Sequence, residues 1–173
     1  MARAKRRATA KRPAKGARVA IVRARWNEDV TLALERGATL RAAAGGATLD
    51  IFEVAGSFEL PAAVALLAES GRYDAIVPIG CLVRGDTPHF DVLAHAVAHG
   101  LMELSTAYPI AIPFGVLTCD TMDQALARAG GSEGNKGEEF MDAALEMVAL
   151  RQALASRAVR SRPRSSARSR STR

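Results

Sequence analysis

The sequence is poor in cysteine, in aromatic residues and in long apolar runs. It has two cysteines in 173 residues, and only 5% of its residues are aromatic. Two cysteines are too few for a disulfide framework, and they form no CxxC pair. Cys81 and Cys119 are therefore expected to be buried, reduced thiols of a cytoplasmic protein. No apolar run approaches the roughly 18 residues of a membrane-spanning helix, so an integral membrane protein is not expected.

The two ends of the chain lack acidic residues. Residues 1–16 hold seven Lys or Arg, and residues 157–173 hold seven Arg, with no Asp or Glu in either segment. Residues 17–156 hold ten basic and all 18 acidic residues, a net charge of −8, although the whole chain carries +6. Neither end shows apolar periodicity, so we predict two disordered basic tails around one domain.

The plainest interpretation of the tails is that they are solvated extensions. A second one is weak, salt-dependent attraction to RNA or another polyanion. Neither tail contains an aromatic residue, so base stacking is unavailable and such binding would be nonspecific. The N-terminal tail lacks the apolar stretch of a secretory signal, and an organellar transit peptide is a less favoured alternative.

Between the tails, short runs of branched apolar residues alternate with longer helical patterns. This alternation predicts right-handed βαβ units and a parallel sheet. We expect a three-layer α/β/α domain over residues 17–156, with a flavodoxin-like four-stranded parallel sheet. The predicted strands cover 18–24, 48–54, 75–83 and 110–117. The predicted helices cover 28–44, 61–70, 89–106 and 121–129, and a glycine-rich loop over 130–137 precedes a last helix that ends near 154.

In such a sheet, ligands bind at the carboxyl ends of the strands. Trp26, the only tryptophan, follows the first predicted strand, as either a core residue or a platform for a planar ligand. Ser57, Phe58 and Glu59 follow the second strand. A carboxylate is favourable in the first turn of a helix, which is one explanation for Glu59. The other is that Ser57 and Glu59 bind a polyol beside Phe58.

The segment after the third strand, Arg84-Gly-Asp-Thr-Pro-His89, has the composition of a phosphate site. Glycine, a hydroxyl and proline before a helix leave backbone N–H groups available to an anion, although an ordinary helix start has the same composition. No GxGxxG or P-loop motif supports a dinucleotide or nucleoside triphosphate site. His95 and His99 share a helix face, but without a third ligand a zinc site is not favoured.

The signals after the fourth predicted strand are weaker. Phe114 lies within that apolar run, and Arg128 ends the next predicted helix. Lys136 is the only lysine between residues 17 and 156. Its isolation is either chance in an arginine-rich composition or the mark of a positioned cation, with Glu139 as a helical partner three residues later.

Six strings of the sequence, in their order and spacing, resemble the lumazine synthase family of riboflavin biosynthesis. The resemblance runs from about residue 18 to 154, some four-fifths of the chain. Any one string is weak evidence, but six in order are strong evidence. The strings are Arg25-Trp-Asn27, Gly56-Ser-Phe-Glu-Leu-Pro61, Gly80-Cys-Leu-Val-Arg-Gly-Asp-Thr-Pro-His-Phe90, Pro113-Phe-Gly-Val116, Arg128-Ala-Gly130 and Gly134-Asn-Lys-Gly137.

The resemblance implies a pocket for 5-amino-6-(D-ribitylamino)uracil. In that pocket Trp26 would stack on the pyrimidine ring, where many members have Phe. Glu59 would accept hydrogen bonds from the ribityl hydroxyls. The other residues implied at this substrate are Ser57 and Phe58, beside the ribityl chain and pyrimidine, and Cys81, Leu82 and Val83, which would line the heterocycle through main-chain groups.

The resemblance also implies a site for 3,4-dihydroxy-2-butanone 4-phosphate. Gly85, Asp86 and Thr87 would bind its phosphate at a helix N-terminus, and His89 would transfer protons. Asp86 departs mildly from the family pattern, and an acid beside a phosphate is tolerable only if its side chain points away. A neighbouring subunit would contribute three further residues: Phe114, Arg128, which pairs with the phosphate, and Lys136.

The implied reaction makes 6,7-dimethyl-8-ribityllumazine, releases phosphate and water, and requires no metal or redox cofactor. The implied assembly is a homopentamer or a multiple of it, up to a 60-subunit shell. The segment before Arg18 contains no apolar strand that could pair with a neighbouring subunit. The alternative functions are a module of the same fold that holds a flavin or pterin without transforming it, and a scaffold whose tails recruit polyanions.

Overall fold

A parallel sheet of four strands, in the order β2-β1-β3-β4, forms the centre of the molecule. The computed structural model describes residues 16–160, so the predictions for 1–15 and 161–173 lie outside the described residues. β1 and β3 are the two central strands, and they are densely apolar and buried. The strands are β1 (Arg18–Ala24), β2 (Thr48–Val54), β3 (Ala75–Val83) and β4 (Val116–Cys119).

Helices cover both faces of the sheet, which confirms the predicted three-layer α/β/α fold. On one face lie α1 (Glu28–Ala44), α4 (Met122–Arg128) and α5 (Lys136–Arg160). On the other lie α2 (Leu60–Glu69) and α3 (His89–Ala107), and a single 3₁₀ turn over Ser57–Glu59 precedes α2. Among residues 16–160, none of the helices combines the length and the hydropathy of a membrane-spanning segment.

The alternation of side chains along β1 divides the core in two. Val19 and Ile21 pack under α1 and α5, whereas Ala20 and Val22 pack under α2 and α3. All four are fully buried. Successive side chains of a strand point to opposite faces, so a strand covered on both sides must be apolar throughout.

The fourth strand differs from the prediction over 110–117. Ala111 makes only an isolated bridge with β3, and the regular ladder covers Val116–Cys119. Pro113 has no N–H to donate to a ladder, so the apolar run cannot pair along its whole length. The predicted strand, which followed the apolar residues, therefore began six residues before the regular ladder and ended two residues before the ladder does.

The glycine-rich segment before α5 also differs from the prediction. It contains a short antiparallel hairpin, β5 (Ala129–Gly131) and β6 (Gly134–Asn135), where a loop was predicted. α5 continues to Arg160 rather than ending near 154, so its last turn enters the segment predicted to be disordered. Arg151 anchors this half of the helix through an ion pair with Asp74 at 3.0 Å, beside the start of β3.

Candidate active site

The turn between β1 and α1 presents Trp26 to solvent, with 73% of its surface exposed. Asn27 has left-handed backbone angles, φ 56° and ψ 50°, which asparagine tolerates better than most residues. Its Nδ2 donates to the carbonyl oxygen of Cys81 at 2.9 Å, and its own carbonyl oxygen accepts from the N–H of Val30 at 3.0 Å. Asn27 therefore ties the turn to the end of β3 and starts α1, a role that the sequence analysis did not assign.

The Trp26 ring lies against the chain that leaves β2. The N–H of Trp26 donates to the carbonyl oxygen of Ala55 at 3.2 Å. A Cβ on Gly56 would lie 3.5 Å from Cδ1 of the indole and 3.3 Å from Oε2 of Glu59. Arg25, Trp26 and Ala55 line an open depression of about 280 Å³. The exposed indole is not a core residue, and its ring is accessible to a planar ligand.

The three residues of the 3₁₀ turn differ in exposure. Phe58 is 62% exposed, and Glu59 is also exposed while its Oε2 accepts from the N–H of Gly56 at 2.8 Å. Ser57 is buried, and its Oγ faces Gly80, where a Cβ would lie 2.6 Å away. Within the described residues this hydroxyl has no hydrogen-bond partner. The Ser57 hydroxyl therefore does not share the surface that Phe58 and Glu59 present.

Arg84 joins three elements around the predicted phosphate segment. Its two terminal nitrogens bond the Asp91 carboxylate at 2.9 and 3.0 Å, and its Nε donates to Asp120 at 2.9 Å. The guanidinium also lies over the Phe90 ring, 4.3 Å from its centre. These hydrogen bonds lower the pKa of Asp91 and raise the pKa of Arg84. Arg84 thus links the ends of β3 and β4 to the first turn of α3.

The residues between Arg84 and α3 remain open to solvent. Gly85, Asp86, Thr87 and His89 are all exposed, and a Cβ on Gly85 would meet no atom within 4 Å. His89 is the first residue of α3. The first N–H groups of a helix have no intrahelical acceptor, and the helix dipole favours an anion there. This geometry suits a small phosphate-bearing ligand.

The other two histidines of α3 have local partners. Nδ1 of His95 lies 2.7 Å from the carbonyl oxygen of Asp91, and Nε2 of His99 lies 3.2 Å from Oε1 of Glu103. Among residues 16–160, no group of three His, Cys, Asp or Glu side chains is arranged to hold a metal ion.

The end of β3 supplies a buried wall rather than a reactive group. Cys81 and Cys119 are buried free thiols, as predicted. Burial raises the pKa of Cys81 to about 12, so this thiol is neutral and a poor nucleophile near neutral pH. Leu82 and Val83 are half-buried and pack against opposite halves of the core.

The other three predicted site residues, which the resemblance assigns to a neighbouring subunit, follow α3 in the chain. Phe114, 46% exposed, precedes β4 and so lies toward the amino end of that strand. Arg128 is the last residue of α4, and its Nη1 donates to the carbonyl oxygen of Gln124 at 3.0 Å. Its positive charge partly offsets the burial that raises the pKa of Cys119, the last residue of β4. Lys136 begins α5, and its Nζ lies 2.6 Å from Oε1 of Glu139, the partner that the spacing predicted.

The model of the family described as 6,7-dimethyl-8-ribityllumazine synthase matches residues 16–152. The chain belongs to the lumazine synthase family. The match includes both the Trp26 turn and the open start of α3, and it confirms the resemblance inferred from the six strings. It also contains Phe114, Arg128 and Lys136.

Curated members of the lumazine synthase family cover most of the chain. The 6,7-dimethyl-8-ribityllumazine synthase of Gemmatimonas aurantiaca is 46% identical over 138 residues, which are 78% of this chain and 84% of the relative. That of Methylorubrum populi is 44% identical over 143 residues, 80% of this chain and 85% of the relative. That of Xanthomonas oryzae pv. oryzae is 42% identical over 141 residues, 80% of this chain and 92% of the relative.

Proposed function

We propose that the chain condenses 5-amino-6-(D-ribitylamino)uracil with 3,4-dihydroxy-2-butanone 4-phosphate to 6,7-dimethyl-8-ribityllumazine, releasing phosphate and water. It is then a transferase of riboflavin biosynthesis. The observation that carries the proposal is an exposed aromatic platform and an open helix N-terminus at the same edge of the sheet, in a chain of the lumazine synthase family.

Trp26 stacks on the pyrimidine in this proposal, and the segment after β2 holds the ribityl chain. The indole is exposed beside Gly56, whose missing side chain leaves room along the ring. Glu59 and Phe58 are exposed on the same segment. Ser57, whose hydroxyl is buried, contributes through its main chain. Cys81, Leu82 and Val83 line the heterocycle through main-chain groups.

The butanone phosphate binds at the start of α3 in this proposal. Backbone N–H groups of Gly85, Asp86 and Thr87 and the first turn of the helix receive the phosphate. The proposal requires the Asp86 side chain to point away from the phosphate, since a carboxylate beside it would repel it. His89, exposed at this helix start, is the group that moves protons between the reactants.

The substrates supply most of the chemistry. The aromatic amine attacks the ketone and forms an imine with loss of one water, and phosphate is then eliminated. The ribityl-bearing amine attacks the remaining carbonyl, and loss of a second water closes the ring of the lumazine. Because the substrate itself provides the amine, Lys136 need not form a Schiff base, and it already pairs with Glu139. Holding the two reactants together contributes most of the rate enhancement. Proton transfer by His89 adds on the order of 10²-fold.

We infer a homopentamer or a multiple of it, up to a 60-subunit shell, in which Phe114, Arg128 and Lys136 complete the site of an adjacent subunit. Phe114 precedes β4, at the opposite end of that strand from the carboxyl edge of the sheet where the Trp26 turn lies. Large apolar side chains are also exposed on the described surface, as expected of a face buried in an assembly. They include Leu66, Val92, Met102, Met147 and Leu150.

We place the enzyme in the cytoplasm, where free thiols such as its two cysteines stay reduced.

The basic tails have no part in the proposed reaction. Repeated in every subunit of an assembly, they would bind polyanions through avidity even if each contact were weak. Removal of residues 1–15 and 158–173 is expected to leave the synthase activity intact and to abolish such binding.

The direct test mixes the purified protein with both substrates and follows lumazine fluorescence. Product formation is the expected result. Tight binding of a flavin without turnover would instead identify a non-catalytic module of the same fold.

Arg128→Ala should mainly raise the KM for the butanone phosphate, because its charge is assigned to the phosphate. An Arg128→Ala protein with unchanged KM for this substrate would contradict that assignment.

A further inference from the structure

Arg23 is a charged residue of β1, and its side chain is buried beneath α1 with 3% of the residue surface exposed. It lies on the same face of β1 as Ile21, two residues earlier, which is part of the core under α1. Its guanidinium contacts three carboxylates. Nε lies 2.8 Å from Oε2 of Glu35, Nη1 lies 3.4 Å from Oε1 of Glu28, and Nη2 bonds Oε1 of Glu53.

Two of the three carboxylates belong to α1 and the third belongs to β2. Glu28 and Glu35 are seven residues apart on α1, so they share one helix face. Glu53 lies near the end of β2 and is paired in register with Arg23. Five of the seven residues of β2 are exposed and none is buried, so apolar packing holds this strand weakly. The guanidinium is therefore a strong polar link between the end of β2 and α1.

The Trp26 ring depends on the relation between these same two elements. Trp26 follows Arg23 by three residues and precedes Glu28 by two. Its N–H bonds Ala55, two residues beyond Glu53, and its ring lies against Gly56. Any movement of the end of β2 relative to α1 would change the space between the ring and this segment.

We propose that Arg23 is a positioning residue that bonds α1 and β2 together and so holds the Trp26 ring in place against Gly56. A guanidinium can do this because its N–H groups point to several acceptors at fixed angles. An ammonium group, as a compact point charge, cannot hold carboxylates on two elements in one geometry. The consequence for catalysis, although not for the structure, rests on the proposed function of Trp26 as the pyrimidine platform.

Two variants test this without removing the whole cluster. Glu53→Gln weakens only the link to β2 and leaves Arg23 paired with α1. Arg23→Lys keeps the positive charge and removes the fork. The matched control is Arg41→Lys, because Arg41 forms an ion pair with Asp142 at 2.5 Å between α1 and α5, away from the turn.

Trp26 is the only tryptophan, so fluorescence excited at the red edge, where the two tyrosines do not absorb, reports on this ring alone. At a temperature well below unfolding, we expect lower tryptophan anisotropy in Glu53→Gln and Arg23→Lys, because the ring gains freedom, and no change in Arg41→Lys. In steady-state assays, the KM for the pyrimidine should rise about fivefold in both variants, with kcat within about twofold and the KM for the butanone phosphate unchanged.

A purely structural role for Arg23 would lower the unfolding midpoint while leaving both the anisotropy and the pyrimidine KM at wild-type values, and that result would overturn the proposal. If the wild-type protein formed no lumazine, the proposed function would fail, whereas the anisotropy would still decide the role of Arg23. If Arg23→Lys did not fold, Glu53→Gln alone would give the answer, since its side chain is partly exposed and similar in size.

Discussion

The starts of α3 and α5 differ sharply, although both follow short segments that contain glycine. At the start of α5 the space is filled: a Cβ on Gly137 would lie 1.9 Å from the carbonyl oxygen of Leu34 in α1. The Asn135 side chain bonds both the N–H of Gly137 and the carbonyl oxygen of Ala33, each at 2.8 Å. At the start of α3 the space is empty, and a Cβ on Gly85 would touch nothing within 4 Å.

The difference shows that similar glycine-containing strings serve different physical needs. Gly137 lets two helices approach closely, so its segment is a packing device. The segment of Gly85 leaves backbone N–H groups accessible, so it is suited to binding. Sequence composition alone does not separate these cases, because each is decided by what lies opposite the glycine in space.

The largest expected effect is the loss of stability in Gly137→Ala. The new methyl group would overlap the Leu34 carbonyl, and α5 would have to move away from α1. We expect a loss of about 3 kcal/mol in the free energy of unfolding, measured by urea denaturation. Gly85→Ala is the matched control, and its stability should stay within about 0.5 kcal/mol of wild type. Equal losses in the two variants would remove the distinction between the two helix starts.

The next effect concerns the open helix start. His89→Ala should lower kcat by about 10²-fold, because the proton-transfer group is lost. Its unfolding midpoint should not change, since His89 is exposed. Stopped-flow or steady-state lumazine fluorescence measures the rate, and Gly137→Ala, assayed at a temperature where it is folded, should retain a much larger fraction of kcat. Unchanged turnover in His89→Ala would remove this histidine from the acid–base role.

A smaller effect is expected at Asn135, which caps α5. Asn135→Ala removes the acceptor for the Gly137 N–H and the donor to the Ala33 carbonyl oxygen, at a cost of about 1–2 kcal/mol in unfolding free energy. Asn135→Asp keeps the acceptor and loses the donor, so it should recover part of this loss. Urea midpoints of the three proteins give the order. An Asp variant less stable than the Ala variant would contradict the assignment of Asn135 as a helix cap.

The smallest effect is expected for the ion pair at the start of α3. The Asp91 side chain is about half exposed, and its hydrogen bonds from Arg84 lower its pKa below the ordinary 3.8. A lowered pKa in the folded state means that the pair stabilises the protein above pH 3.8, and that this contribution is lost as the pH falls through the lowered value. The difference in urea midpoint between wild type and Asp91→Asn should therefore be small at pH 7, shrink in high salt and vanish in acid. A difference that grew toward acid pH would have the wrong sign.

Much of the architecture could be predicted because it follows local patterns. Branched apolar runs located β1, β2 and β3, and the helical pattern and glycine stop located α1. The rule that ligands bind at the carboxyl ends of parallel strands directed attention to Trp26 and to the segment that ends at His89. β4 was misplaced because pairing depends on which N–H groups can reach a neighbouring strand, and Pro113 has none.

The parts that could not be predicted depend on neighbours distant in sequence. Ser57 was expected at the substrate, but which way its hydroxyl points is decided by the space beside Gly80. A buried ion cluster could have been predicted from Arg23, which stands in an apolar strand, and from Glu28 and Glu35, which share a helix face. The sequence analysis did not use these features. The role of Glu53 emerges only when β2 is paired with β1.

Both ends of the described chain lie toward the amino ends of the strands, whereas Trp26 and His89 lie at their carboxyl ends. The carbonyl oxygen of Ala17 accepts from the first residue of β2, and Arg151 is bound at Asp74, just before β3. The nine residues of α5 that follow Arg151 carry the chain about 13 Å further. A reporter protein or surface tether attached at residue 16 or residue 160 would therefore emerge at the opposite end of the sheet from Trp26 and His89, and that edge should remain accessible to both substrates.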